Sequence, residues 1–164
     1  MSLSVLILAL VTLQRLFELW LSHRKTQRLL QQGGREVGQS HYVPVIFVHV
    51  LWLTVLWALA PGRPVSLFWL AVYLVLQVAR VWVIATLGPR WTTRIIVLPD
   101  APLVRRGPYR FVNHPNYLVV TAEIAVLPLV FGLSWVALLF SALNAVALTV
   151  RIRAENRALA SLRA

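Results

Sequence analysis

The sequence predicts an all-α protein, a polytopic integral membrane bundle of about five transmembrane helices, and three observations support this fold class. Hydrophobic residues make up 59% of the 164 residues, a fraction well above that of soluble domains. Long apolar segments alternate with short polar ones along the whole chain. The polar segments hold nearly all of the sixteen Lys and Arg residues, as expected when loops lie at a membrane surface.

Five apolar segments are predicted to be helices. They are Leu3 to about Leu21, Pro44 to about Ala60, about Val65 to Leu87, Asn116 to about Phe131, and Ser134 to about Val150. The first is long enough to cross a hydrocarbon layer of roughly 30 Å, and its helix is expected to continue until Gly33-Gly34. Pro44 suits the first turn of the second helix. The last helix is expected to project into the cytosol beyond Val150.

Residues 89–115 form a long connection that we expect to be a functional loop. Pro89, Pro99, Pro102, Gly107 and Pro108 interrupt it, so its backbone groups could not be satisfied inside lipid. Trp91 to Leu98 is predicted to be a short extended or interfacial piece. The chain is therefore one domain, with three helices in 1–88, a cytoplasmic loop in 89–115, and a helical hairpin with a C-terminal segment in 116–164.

The distribution of Lys and Arg predicts the orientation in the membrane. The loop after the first helix has four, the long loop five and the C-terminal tail four, whereas the turn at 61–64 has one and the turn near Gly132 none. This pattern predicts an external N-terminus and a cytoplasmic C-terminus in a bacterial cell (inner) membrane. The net charge of +11 lies beside apolar segments, so membrane lipids are expected partners and nucleic acid is not.

Four polar residues interrupt the predicted membrane helices. Arg15 and Glu18 are spaced i,i+3 and can pair on one helix face, which favours a structural ion pair. Gln77 and Arg80 lie on one face of the third helix, where Arg80 needs a partner or a polar cavity. Two interpretations stay open for Gln77 and Arg80. One is contact with the substrate or cofactor, and the other is a structural role, with Arg80 as a hydrogen-bond donor or as a residue that snorkels to the interface.

The chain lacks cysteine, and its four histidines have no short metal-ligand spacing. These features exclude disulfides and a cysteine-based zinc site, and no metal site is predicted.

Two polar clusters flank the predicted hairpin. Gly-Pro-Tyr-Arg-Phe-Val-Asn-His-Pro-Asn-Tyr occupies 107–117, and Arg-Ile-Arg-Ala-Glu-Asn occupies 151–156. On the predicted topology both lie at the cytoplasmic mouth of the bundle. This ordered pair of motifs resembles the isoprenylcysteine carboxyl methyltransferase family and is similar, more distantly, to the phospholipid methyltransferases. The resemblance covers roughly the C-terminal half of the chain; the N-terminal half is similar only in helix number and hydropathy.

The resemblance implies an integral-membrane methyltransferase that uses S-adenosylmethionine and has no Rossmann domain. In that family the two motifs enclose the cofactor. Carried over by position, the implied cofactor-binding residues are Tyr109, Arg110, His114, Pro115, Asn116, Tyr117, Glu155 and Asn156. In this interpretation, His114 and arginines donate to the cofactor carboxylate and Glu155 and Asn156 accept from its ammonium or hydroxyls. Tyr109 or Tyr117 would face the sulfonium.

One position departs from the family pattern. The family's second motif has two adjacent glutamates, whereas Glu155 is followed here by Asn156, which removes a negative charge. Glu123 is a candidate replacement. The run at 123–129 also resembles the bacterial branch linked to alkylpyrone and alkylresorcinol methylation.

The expected substrate is a lipophilic acceptor that enters between helices and is methylated on oxygen. A carboxylate acceptor needs an arginine to orient it, for which Arg151 is the candidate, and no base. A phenol or pyrone hydroxyl benefits from a base, for which His114 and Glu123 are candidates. Glu123 as a buried structural acceptor remains open.

Two other functions stay open at this point. Sterol-reductase-type proteins carry a similar Arg-His-Pro-Asn-Tyr segment, so a membrane NADPH-dependent reductase is one alternative. A non-catalytic membrane scaffold is the other. The sequence leaves the oligomeric state open.

Overall fold

Five α-helices form most of the computed structural model, which describes residues 2–99 and 101–158, with only the backbone at 40 and 41. The helices are α1 (Leu3–Gln31), α2 (Gln39–Leu59), α3 (Leu67–Leu87), α4 (Pro115–Val130) and α5 (Ser134–Ala158). Two strands of three residues, β1 (Arg35–Val37) and β2 (Ile95–Val97), pair antiparallel. The end of the predicted tail, 159–164, lies outside the described residues.

Four of the helices are long and apolar enough to span a membrane: α1, α2, α3 and α5. The fifth, α4, has 16 residues and is therefore only about 24 Å long. It packs against both α3 and α5, and most of its apolar side chains are buried. The other helices expose Leu10, Phe47, Val78 and Leu138, the kind of surface that faces lipid. The predicted all-α polytopic membrane bundle is confirmed.

The helix bounds agree with the sequence except at the start of α2. As predicted, α1 stops before Gly33, whose φ of 86° is in the left-handed region that favours glycine. In contrast, α2 begins at Gln39 after the left-handed Gly38, so Pro44 lies inside the helix and the first-turn prediction was wrong. Five residues extend the helix ahead of Pro44, and the helix continues through the proline although Pro44 lacks the N–H that would bond to the carbonyl of residue 40.

The turn between α4 and α5 is a complete helix-ending motif. Gly132 has φ 69°; its N–H donates to the carbonyl of Leu129 at 3.1 Å, and the Leu133 N–H donates to that of Pro128 at 2.9 Å. This hydrogen-bond pattern is the Schellman motif. It reverses the chain within three residues and joins the hairpin through Gly132, as predicted.

The segments predicted to be basic loops meet at one end of the bundle. The α1–α2 connection is paired to the long loop through β1 and β2 and through Arg94–Glu36 contacts of 2.8 and 3.0 Å. Arg151 of α5 donates to the carbonyl of Thr93 in the same loop. The opposite end is filled by buried apolar side chains, including Leu56, Leu127, Phe131 and Phe140.

Six polar side chains from three helices form one hydrogen-bonded group, the ionic cluster, between these two ends. They are Gln14, Arg15 and Glu18 of α1, Gln77 and Arg80 of α3, and Glu123 of α4. Its two arginines and two glutamates balance in charge, which is the arrangement that lets charged groups lie inside an apolar bundle.

Arg80 is the centre of the ionic cluster. Its Nε and Nη2 donate to the two carboxylate oxygens of Glu18 at 2.5 Å each, and its Nη1 donates to Glu123 at 2.8 Å. Arg15 donates to the same two carboxylates at 3.1 and 2.8 Å. The predicted Arg15–Glu18 pair is therefore present, but as part of a cluster that ties α1, α3 and α4 together.

We predict that Arg80→Ala is strongly destabilising, because it leaves two buried carboxylates with a single arginine. Breaking a buried ion pair from one side costs about 3–5 kcal/mol. Thermal unfolding in detergent measures the effect. Arg63→Ala is the matched control, because Arg63 is exposed and donates only to the Leu59 carbonyl. An Arg80→Ala protein as stable as Arg63→Ala would contradict this role.

Candidate functional site

A cavity of about 610 Å³ lies at the polar end of the bundle. Its walls come from the ends of four helices and from the long loop: Leu29 of α1, Leu87 of α3, Tyr117 of α4, Arg151 and Glu155 of α5, and many residues of 90–113. The volume is in the ordinary range for a small-molecule or cofactor site. The two predicted polar clusters face this one space.

The first wall is the start of α4, and its sequence explains why the helix begins there. His114 is the N-cap, and Pro115 occupies the first helical position, where its missing N–H costs nothing. The backbone N–H of Tyr117 donates to the His114 carbonyl at 3.1 Å. Starting the helix at this point places His114, Asn116 and Tyr117 along the cavity.

The hydroxyl of Tyr117 joins this wall to the second one. It donates to Glu155 Oε2 and accepts from Arg151 Nε at 2.8 Å. Because Arg151 and Glu155 are four residues apart on α5, both point to the same side of that helix. Arg151 is also fixed by the Thr93 carbonyl, so the arginine and the glutamate are held in place before any ligand binds.

His114 makes three contacts with the same group of residues. Its Nε2 is 3.1 Å from Asn156 Oδ1, its Nδ1 is 3.6 Å from Glu155 Oε2, and its ring stacks on that of Tyr117 at 5.3 Å. Asn156, which replaces the family's second glutamate, therefore acts on the site through His114. Its amide oxygen binds the imidazole without adding a charge.

Gly107 positions the loop that carries Tyr109 and Arg110. Its φ is 55°, and a Cβ at this position would lie 2.7 Å from Thr86 Oγ1 and 3.3 Å from Trp82 Nε1 of α3. Only glycine allows both this backbone conformation and so close an approach. The glycine of the first motif therefore sets how closely the loop packs on α3.

The cavity also has a roof, formed by residues 91–98, which sequence reasoning described only as an extended piece. β2 lies in this roof and is paired to β1 in the α1–α2 connection. Tyr42 of α2 supports it, with its hydroxyl 2.9 Å from Thr93 Oγ1 and its ring beneath the Arg94 guanidinium at 4.9 Å. No motif indicated Glu36, Tyr42 or Trp91, because strand pairing between distant segments leaves no local sequence signal.

Positive charge dominates the cavity lining. Arg90, Arg94, Arg105, Arg110 and Arg151 line it, against a single acid, Glu155, among the described residues. Burial raises the pKa of the Tyr109 hydroxyl above its ordinary value, and the nearby charge of Glu155 raises it further. Tyr109 is therefore a neutral hydrogen-bonding group at physiological pH.

Two buried polar atoms on the cavity wall test whether S-adenosylmethionine fits. Asn116 Oδ1 and Trp91 Nε1 are shielded from solvent and have no hydrogen-bond partner among the described residues. One is an acceptor and the other a donor, and such orphaned groups are costly unless a ligand or water satisfies them. With the Glu155 carboxylate and the arginines, they match the ammonium, hydroxyls and carboxylate of this cofactor.

The predicted site residues separate into two groups. Those at the cavity are Tyr109, Arg110, His114, Asn116, Tyr117, Arg151 and Glu155, with Pro115 and Asn156 directly behind them. Gln77, Arg80 and Glu123 lie instead in the ionic cluster, with Glu123 about 12 Å along α4 from its first residue. Among the described residues, no group of three or more His, Cys, Asp or Glu could hold a metal ion.

We predict that Gly107→Ala destabilises the protein more than Gly62→Ala. Both glycines have positive φ, but a Cβ at Gly62 meets nothing within 4 Å, so the control isolates the clash with α3. Overpacking of this kind costs about 1–3 kcal/mol. Thermal unfolding of both variants provides the comparison, and equal losses would exclude a packing role for Gly107.

Comparison with known proteins places this chain in a family. The sequence model of the isoprenylcysteine carboxyl methyltransferase (ICMT) family matches residues 69–161, which include both cavity walls. An uncharacterized protein of Bacillus subtilis, YpbQ, is 41% identical over 159 residues, covering 94% of this chain and 95% of that protein. An uncharacterized protein of Haemophilus influenzae is 25% identical over 154 residues, covering 90% of each. No solved structure matches significantly. The chain therefore belongs to the isoprenylcysteine carboxyl methyltransferase family, whose members are membrane-integral enzymes that transfer methyl groups from S-adenosylmethionine.

Proposed function

We propose that this protein is an O-methyltransferase for a lipophilic acceptor with an acidic oxygen, acting at the cytoplasmic face of a bacterial cell membrane. The observation that carries the proposal is the cavity at the polar end of the bundle, where Tyr117 links Arg151 and Glu155 beside His114. The excess of Lys and Arg at that end supports its cytoplasmic location.

The residues that would hold the cofactor are those of the two walls. Glu155 and the unpartnered Asn116 Oδ1 are acceptors for its ammonium or hydroxyls, and Arg110 is a donor for its carboxylate. S-adenosylmethionine, when bound, supplies the methyl group on a positively charged sulfur. The Tyr117 ring already contacts the Arg151 guanidinium at 5.7 Å and the His114 ring at 5.3 Å, which leaves Tyr109 as the aromatic partner for the sulfonium.

The charge of the lining supports an anionic acceptor. Among the described residues, five arginines and one glutamate line the cavity. Although Arg94 also pairs with Glu36, the remaining positive charge disfavours a second cation and favours a carboxylate or an ionised hydroxyl. Arg151, fixed by Tyr117 and Thr93, is placed to orient such an oxygen. Holding the two reactants in line and excluding water supplies much of the rate in a displacement of this kind.

His114 is the proposed base if the acceptor is a phenol or pyrone hydroxyl. Asn156 and Glu155 flank its two ring nitrogens, which fixes the orientation of the ring. Glu123 is fully buried and accepts from Arg15, Gln77 and Arg80, which supports the structural role that the sequence left open. Arg80 and Gln77 are likewise engaged within the ionic cluster and support the site from inside the bundle.

We predict that Glu155→Ala and His114→Ala each weaken binding of S-adenosylmethionine, measured by isothermal titration of purified protein. Loss of a charged hydrogen-bonding partner costs roughly 1.5–3 kcal/mol, or ten- to about 150-fold in affinity. His23→Ala is the control, since His23 is exposed on α1. Undiminished binding in both cavity variants contradicts the site. Protection from thermal unfolding by NADPH but not by S-adenosylmethionine would instead favour a reductase.

We predict that Tyr117→Phe reduces methyl transfer and cofactor affinity about tenfold, because it removes the hydroxyl between Arg151 and Glu155. Tyr73→Phe is a matched control: its hydroxyl is buried but has no partner among the described residues, so its loss is expected to be nearly neutral. Equal effects of the two substitutions would mean that Tyr117 has no special role.

The acceptor is identified by feeding labelled methionine to cells with and without the protein and extracting their lipids. The proposal predicts a labelled lipid that is absent from cells without the protein and about tenfold less abundant in cells that carry Tyr117→Phe. Label confined to water-soluble compounds would exclude a lipophilic acceptor.

A further inference from the structure

A second concavity of about 590 Å³ lies beside the cavity, where α1 and α3 end against residues 102–106 of the long loop. We call it the arginine groove. Its polar side carries Arg90, Arg105 and Arg106, and its apolar side includes Leu29, Leu87 and Leu103. No acidic side chain lines it among the described residues. The groove therefore combines three positive charges with an apolar wall.

Two of these arginines are held in place by the backbone. Arg90 Nη1 donates to the Pro102 carbonyl at 2.6 Å, and Arg106 Nη2 donates to the Thr86 carbonyl at 3.4 Å. Each bond uses a single N–H of a guanidinium that has five. Both guanidinium groups therefore keep N–H donors for a ligand. Because these side chains are already partly ordered, a ligand that binds them costs less conformational entropy.

The level of the groove along the bundle identifies its surroundings. Leu87 is the last residue of α3, a helix of 21 residues that is long and apolar enough to span the membrane. Leu29 lines the groove from the polar part of α1 that follows Leu21. The groove thus lies where hydrocarbon gives way to headgroups. At this level, an anion attached to an apolar chain can contact the arginines and the leucines at once.

We propose that the arginine groove binds the phosphate of an anionic phospholipid from the surrounding membrane, with the start of an acyl chain against the leucines. Arginine is suited to phosphate because its planar fork donates two hydrogen bonds together. The groove lacks His114, Tyr117 and Glu155, so it is not a place where an acceptor would be methylated. Eight of the eleven residues that line the groove also line the cavity, among them Arg90, Leu103 and Arg105. The groove is therefore continuous with the cavity, and the bound lipid would stiffen one side of the active site.

The test is native mass spectrometry of the full chain released from mixed micelles of phosphatidylglycerol and phosphatidylcholine with identical acyl chains. The native protein is expected to retain phosphatidylglycerol preferentially. Arg105→Gln is expected to weaken that retention about five-fold, the effect of one basic residue near a membrane surface, and the pair with Arg106→Gln to weaken it further. Arg105 makes no hydrogen bond to another described residue, so its replacement removes a charge without breaking a contact.

The control removes two arginines from the same membrane face outside the groove, by Arg24→Gln with Arg28→Gln. Both are exposed on α1. The proposal predicts that this pair retains phosphatidylglycerol like the native protein. An equal loss of phosphatidylglycerol in both double variants indicates diffuse attraction to the surface and overturns the proposed site. Full retention of phosphatidylglycerol by the Arg105→Gln, Arg106→Gln double variant also overturns it. Retention of a co-purified non-phosphate lipid in place of phosphatidylglycerol also overturns it, by indicating an acceptor site. Because the readout is bound lipid, it is independent of methyl transfer.

Discussion

The proposed active site depends on a single hydroxyl, that of Tyr117, which bonds to Arg151 and Glu155 at once. These groups come from the start of α4 and the end of α5. The hydrogen bonds of Tyr117 therefore form only if the hairpin places those two helix ends side by side. The Schellman turn at Gly132 and the N-cap at His114 fix the two helices relative to each other. A positive, a negative and a neutral polar group are thereby held together in an otherwise apolar protein.

Two charged regions in the bundle differ in their balance, and this difference separates their roles. The ionic cluster has equal numbers of arginines and glutamates, and its carboxylates are fully engaged. Its charges are therefore neutralised without a ligand, although Arg15 Nε has no partner among the described residues. Among the described residues, the cavity is lined by five arginines and one glutamate and has two buried polar atoms without partners. The charges of the ionic cluster are thus neutralised inside the protein, whereas the excess positive charge that lines the cavity is available to a ligand.

Much of this architecture could be predicted from the sequence, because membrane helices leave a strong local signal. The apolar segments gave the helices, and the motifs at 107–117 and 151–156 gave both cavity walls. The roof could not be predicted, since the pairing of Glu36 with Arg94 joins segments 58 residues apart without a local pattern. Glu123, expected beside the site, lies in the ionic cluster because Arg15 and Arg80 reach it from other helices, which spacing within one helix does not reveal.

The most direct measurement of the central claim is an experimental structure of the protein with S-adenosylhomocysteine, the demethylated cofactor. The account predicts that it lies between the start of α4 and the end of α5, in contact with Tyr117 and Glu155 and with Asn116 Oδ1 satisfied. A ligand bound elsewhere would contradict the account. So would a ligand in the cavity that contacts none of Tyr117, Arg151 and Glu155.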